Sequence, residues 1–296
     1  MKSSKPAVLK PALLVLGATG AIGRGVVRAA VEAGRPVVAI SPDRDGLRAL
    51  QGSHAHADLS ILVAHPGDDR SAASLAREVR KLDRPIDGVV AALCTERERG
   101  RVLDQPAAEL SDALNANVVA HLAAARHLLP LVVEGQRGGS YVLVDGPGAS
   151  HPWAGYGHRS VGGAALHMLA RVLHDEARPL SVRVQLLSLD WPLRTSENMR
   201  HACAQWPSAI GVGRRVLAML DRKDRAPAEA IVHCAGPCNE ERASDDDAAQ
   251  ASDSDPALLT SRCLQDARTL LGSLSPPKTT SPLSNKEDSH EPPTRR

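Results

Sequence analysis

Short apolar runs alternate with longer amphipathic stretches from residue 12 to about residue 235, and this alternation constrains the fold more than any other feature of the chain. The runs "ALLVLG" (12–17), "PVVAIS" (36–41), "LSILVA" (59–64), "DGVVAAL" (87–93), "SYVLVD" (140–145), "VRVQLLS" (182–188) and "EAIVHC" (229–234) read as strands. They are rich in Val and Leu on both faces, as a parallel sheet covered by helices requires. Helical stretches fall between them near residues 21–33, 44–51, 71–82, 107–134, 160–177 and 209–222. The expectation is an α/β fold with one doubly wound, mainly parallel sheet of about seven strands. Right-handed crossovers should place helices on both of its faces.

The core must be built from Ala, Val and Leu, because the chain has two Tyr, three Trp and no Phe. That scarcity also argues against base-stacking platforms. Net charge is +2 from 36 basic and 34 acidic side chains, scattered rather than striped, so no nucleic acid partner is expected. Five cysteines without C-x-x-C spacing read as reduced thiols in a cytoplasmic protein. Cys234 with Cys238, or His54 with His56, are clusters too small for a structural metal site. The N-terminal run is short and interrupted by prolines, so neither a secretion signal nor a membrane span is expected.

Residues 1–10 read as an extension and 11–236 as the single folded domain. Residues 237–254 form an acidic, small-residue linker that cannot bury enough apolar area to offset its ordering entropy. Residues 255–272 suit a short amphipathic helix, with Asp255 as N-cap, Pro256 in its first turn, Gly272 as a stop, and Leu259, Cys263, Ala267 and Leu270 along one face. The remainder, 273–296, is Pro, Ser and charge without periodicity and should be disordered.

The first chemical motif is "LGATGAIGRG", where Gly17, Gly20 and Gly23 leave an apolar strand and open a helix. Gly17 permits the tight turn, Gly20 lets the backbone approach a pyrophosphate, and Gly23 allows close packing. Thr19, Ala21, Ile22 and Arg24 complete the segment whose amide donors would face the anion. At the end of the second strand, where an acid would accept hydrogen bonds from an adenosine ribose, stands Ser41 with Arg44 just beyond. This favours NADP(H) slightly over NAD(H), although Asp43 keeps NAD(H) open.

With these residues in place, the chain resembles the short-chain dehydrogenase/reductase family over roughly residues 10–236. Asn117 and "LLP" (128–130) match the family's long central helix, and "GGSYVLVDGPGASHPWAGYGHRSVGGAAL" is similar to its fifth strand, catalytic loop and catalytic helix. The resemblance implies a Rossmann-type fold, a nicotinamide dinucleotide, a small carbonyl or alcohol substrate, and a homodimer or homotetramer. In that family a Tyr protonates the carbonyl oxygen, a Lys four residues later lowers its pKa, and a Ser about thirteen residues earlier orients the substrate. Hydride addition builds charge on oxygen, so a donor beside a fixed cation is needed. Aligned without gaps, those positions hold Arg159, Gly163 and Gly146, and "AALC" (91–94) replaces the family's NNAG turn.

Of the usual tetrad Asn117 remains, and Tyr156 lies three residues from the family position. Tyr156 is either a displaced general acid using Arg159 or His158 as its cation, or a structural loop residue. Asp145, at the C-terminal end of the fifth strand, suits a general base or a turn cap, and His158 suits a proton carrier. No G-x-S-x-G elbow, P-loop or H-E-x-x-H occurs in the chain. Two function classes remain: an NAD(P)(H)-dependent oxidoreductase with rearranged acid/base residues, and a catalytically inactive member that binds a dinucleotide or a protein partner. Trp191, Met199 and Trp206 suggest an apolar pocket wall within residues 189–209. Leu122, Leu128, Leu166, Leu169 and Leu173 suit either subunit contacts or sheet packing.

Overall fold

The computed structural model describes residues 9–94, 100–135, 138–153, 155–195, 198–221 and 229–234. The expected linker, amphipathic helix and tail lie outside these residues, as does the N-terminal extension up to residue 8.

Seven strands form one sheet: β1 Ala12–Leu16, β2 Val37–Ser41, β3 Leu59–Val63, β4 Ile86–Ala91, β5 Ser140–Asp145, β6 Arg183–Leu189 and β7 Ile231–Cys234. Their order is β3-β2-β1-β4-β5-β6-β7, and every pairing is parallel. The order reverses direction between β1 and β4, so the crevice beyond their C-terminal ends is where such a sheet accepts ligands. Helices α1 Ala21–Glu32, α2 Arg44–Ser53 and α7 Ala209–Asp221 cover one face. Helices α3 Asp69–Arg80, α5 Ala120–Gly135 and α6 Gly157–Ala177 cover the other. All five residues of both β1 and β2 are buried, which explains their unbroken apolar character.

Local chemistry sets where the helices begin. Asp68 accepts the Ser71 N–H at 2.7 Å while Ser71 Oγ accepts the Asp68 N–H at 3.0 Å, a reciprocal cap that starts α3. Asp43 caps α2 by accepting the Gly46 N–H at 2.9 Å. The α1–α7 seam is set by glycines: a Cβ on Gly25 would overlap the Ala209 carbonyl, and one on Gly213 would overlap the Gly25 carbonyl.

Three sequence expectations are corrected. The stretch 107–134 is not one α-helix but α4 Ala107–Leu114, a π-helical turn Asn115–Val119, and α5. Within the wide turn the Asn117 side-chain amide donates to the Ala113 carbonyl at 2.9 Å, the acceptor its own N–H would use in a regular helix. α6 begins at 157 rather than 160, because the loop is pinned onto its first turn by Trp153 N–H donating to Ser160 Oγ at 3.0 Å. Cys234 is disulfide-bonded rather than a reduced thiol, whereas Cys94 and Cys203 are reduced thiols.

Stretch 107–135 is long and apolar enough to cross a membrane. Ala120, Ala124, Leu128 and Val132 account for that character by packing into the core. Leu128, Leu166 and Leu173 are likewise core residues and Leu169 packs against them, whereas Leu122 is exposed.

Candidate functional site

The turn from β1 into α1 forms a cradle at the sheet's crevice. Gly17 sits at φ +72°, and a Cβ there would overlap the Ala92 carbonyl. A Cβ on Gly23 would overlap the Gly17 carbonyl and stand 2.7 Å from Ala18 Cα, so this glycine serves packing. Gly20 differs: a Cβ there would meet only the Gly17 carbonyl oxygen, at 3.4 Å, and its open side faces outward. Gly20 is the N-cap of α1, without a side-chain cap and with no acid in the first turn. An unshielded helix N-terminus with a glycine at its mouth fits a pyrophosphate. Ala21 is exposed and Ile22 half-buried beside it.

At the C-terminal end of β2, Thr19 Oγ1 and Ser41 Oγ lie 2.7 Å apart, and Ser41 Oγ also accepts the Asp43 N–H at 3.2 Å. Asp43 caps α2 through Oδ1, and its exposed carboxylate keeps acceptor capacity on Oδ2. Arg24 donates to the Thr19 carbonyl at 2.7 Å, and both Arg24 and Arg44 are exposed. The rim therefore presents a hydroxyl pair and two guanidinium groups.

The second feature is a small cleft beyond the C-terminal ends of β4 and β5, with a cavity volume of about 50 Å³. It brings together four candidates scattered in the sequence: Asn117 from the π-helical turn, Asp145 from β5, and Tyr156 and His158 from the start of α6. Leu93, Cys94 and Arg159 also line it. Trp191, Met199 and Trp206, expected as a pocket wall, are not among its lining residues, and Met199 is exposed instead.

Tyr156 is the N-terminal flanking residue of α6, and its ring packs on Trp153 with centroids 4.6 Å apart. The other tyrosine, Tyr141, is fully buried in β5, where burial pushes its hydroxyl pKa up, so Tyr156 is the tyrosine that the cleft can use. Asp145 Oδ1 accepts the Gly146 N–H at 2.8 Å, which satisfies the turn-cap reading, and Oδ2 faces His167 Nε2 at 3.5 Å. Arg159 Nη2 donates to Cys94 Sγ at 2.9 Å. A Cβ on Gly146 would meet this guanidinium at 3.8 Å, so Arg159 reaches across the position to which the resemblance assigns a serine.

His167 is a site neighbour that sequence reasoning missed. A Cβ on Gly163 would stand 2.9 Å from Asp145 Oδ2, and His167 follows Gly163 by four residues on the same face of α6. That spacing was the available signal, but nothing in sequence aligned it with Asp145. His121, fully buried beneath the cleft, holds the Leu93 carbonyl through Nε2 at 3.1 Å, and burial pulls its pKa down to about 4. Among the described residues no group of three or more His, Cys, Asp or Glu could hold a metal, and His54 and His56 sit apart from the cleft.

Comparison with known proteins bears on the family and the fold. The family model described as enoyl-(acyl carrier protein) reductase matches residues 17–207. Dehydrogenase/reductase SDR family member 4 from Sus scrofa is 27% identical over 177 residues, 59% of this chain; the match spans 63% of the pig protein's length. A short-chain oxidoreductase from Pseudomonas aeruginosa PAO1, containing an atypical catalytic center, has a similar apo structure (TM-score 0.68, 18% identity, 78% of this chain and 97% of that one). Its NADPH-bound structure is similar too (TM-score 0.67, 19% identity, 78% and 97%). Fold, glycine cradle and matched family model together place the chain in the short-chain dehydrogenase/reductase family of oxidoreductases.

Proposed function

We propose that the chain is an NAD(P)(H)-dependent oxidoreductase that reduces a small carbonyl compound, or oxidises the matching alcohol, in the cleft beside Tyr156. The convergence of Asn117, Asp145, Tyr156, His158 and Arg159 on one cleft beyond the strand ends carries this reading. The amides opening α1 would hold the pyrophosphate, and Gly20 would allow its close approach. NADP(H) is favoured over NAD(H), since Ser41 replaces a ribose-binding acid at the strand end, and the exposed Arg24 and Arg44 suit a 2′-phosphate. The NADPH-bound relative supports the same preference.

When bound, the nicotinamide supplies or accepts the hydride at the substrate carbon. The chain must then deliver one proton to the carbonyl oxygen and stabilise charge there while it develops. Tyr156 is the proposed donor, with Arg159, three residues on, or His158 as its cation. Asp145 and His158 are the remaining proton-handling groups in the cleft.

Calorimetric titration with NADPH and then NADH tests this reading. Micromolar binding, tighter for NADPH, is expected, and no binding at millimolar cofactor overturns it. A catalytically inactive binding protein is the second reading, favoured by Gly146, Arg159 and Gly163 at the family's Ser, Tyr and Lys positions. Cofactor binding without turnover of any carbonyl in a broad panel would establish it. A homodimer or homotetramer is proposed, supported by exposed apolar residues Leu122 and Val133 on α5 and Val161, Met168 and Val172 on α6.

A further inference from the structure

We propose that the substrate carries a carboxylate, held by Arg159, and that it lies over Gly162 on the cleft-facing side of α6; this deepens and rests on the oxidoreductase reading. Three observations converge on it.

The first is the state of the Arg159 guanidinium. It is half-buried in the cleft wall, and the partner it finds is the Cys94 sulfur at 2.9 Å. Sulfur is a weak hydrogen-bond acceptor, so the planar fork of donors keeps most of its capacity. Asp145, the carboxylate that lines the same cleft, is turned to the Gly146 N–H and toward His167, and forms no ion pair with Arg159. A guanidinium that lines a cleft and meets no carboxylate among the described residues is suited to a carboxylate that arrives with the ligand, bound through two parallel hydrogen bonds.

The second is the space over Gly162. This residue is buried, lines the cleft and stands in the first half of α6, where glycine is a poor helix former. Its missing side chain serves no internal packing, because a Cβ there would meet no atom within 4 Å. The neighbouring Gly163 is the opposite case, with Asp145 Oδ2 and Ala149 against it. Gly162 thus leaves room that the chain itself does not fill, three residues beyond Arg159 on the same side of the helix.

The third is electrostatic. Arg159 stands in the first turn of α6, which carries no acidic residue. A cation there opposes the helix dipole, and a bound anion would relieve that cost.

The test uses full-length protein with oxamate and levulinate as carboxylate probes, and oxamide and 4-oxopentanamide as their neutral counterparts, titrated calorimetrically with and without saturating NADPH. At least one carboxylate probe is expected to bind tenfold or more tighter than its amide, and Arg159→Gln should abolish that difference. Gly162→Ala should raise the melting temperature, since its methyl has room and alanine favours helix. Gly162→Leu, which fills the space, should weaken probe binding at least tenfold. Carboxylate and amide binding equally, or Arg159→Gln leaving the difference intact, overturns the proposal. Either result obtained alongside normal NADPH binding refutes the carboxylate assignment while sparing the oxidoreductase reading; loss of NADPH binding itself refutes the latter.

Discussion

Gly20 and Gly23 lie three residues apart, at the N-cap and in the first turn of α1, but should fail in different ways when replaced by alanine. At Gly20 a methyl would sit 3.4 Å from the Gly17 carbonyl oxygen, an ordinary contact, and the backbone at φ −72° suits any residue. The fold loses only the advantage of glycine over alanine at an N-cap, about 0.5–1 kcal/mol, or roughly 1–4 °C in melting temperature. At Gly23 the methyl would overlap the Gly17 carbonyl and stand 2.7 Å from Ala18 Cα, both backbone atoms that cannot rotate away. Overpacking of this kind costs about 1–3 kcal/mol or more, and improved helix propensity returns at most about 1 kcal/mol. The expected result is a near-normal melting curve for Gly20→Ala with NADPH affinity reduced at least about tenfold, equivalent to about 1.4 kcal/mol. Gly23→Ala should be unstable before any ligand is added. Thermal denaturation followed by circular dichroism, paired with calorimetric NADPH titration, separates the two. Unchanged NADPH affinity in Gly20→Ala would refute the close-approach argument, and a wild-type melting temperature in Gly23→Ala would refute the packing argument.

Three further outcomes follow from the structure. His121 is held neutral by burial with its pKa near 4, against 6.5 when unfolded, so the unfolded chain gains a proton that the folded one declines. Stability present at neutral pH should fall by up to about 3 kcal/mol as pH drops from about 6.5 through about 4; urea midpoints across this range should show the loss, and His121→Gln should flatten that segment. Gly25→Ala and Gly213→Ala each push a methyl into the facing helix backbone, so both should lower the melting temperature despite better helix propensity, and a rise in either would contradict the close α1–α7 seam. Once a carbonyl substrate is in hand, Tyr156→Phe should cut turnover on the order of a hundredfold or more at unchanged NADPH affinity; survival of activity would transfer the proton-donor role to His158 or Asp145.

The sequence by itself determined the sheet. Strands rich in Val and Leu and helices of amphipathic period are local signals, and all seven runs became parallel strands within about two residues of their expected limits. It also located the glycine cradle, because the strand–turn–helix context is continuous in the chain. The π-helical turn at Asn115–Val119 was not legible, since it depends on a side-chain amide displacing a backbone donor at one carbonyl. Nor could sequence decide which distant residues meet. Asn117, Asp145 and Tyr156 come from three elements, and only the order β1-β4-β5 and the early start of α6 bring them to one cleft. Sequence alone does not distinguish the adjacent glycines at 162 and 163. Packing separates them: one is filled against Asp145 and Ala149, and the other is left open where Arg159 faces the cleft. Space is a property of what surrounds a residue, which the tertiary structure alone supplies.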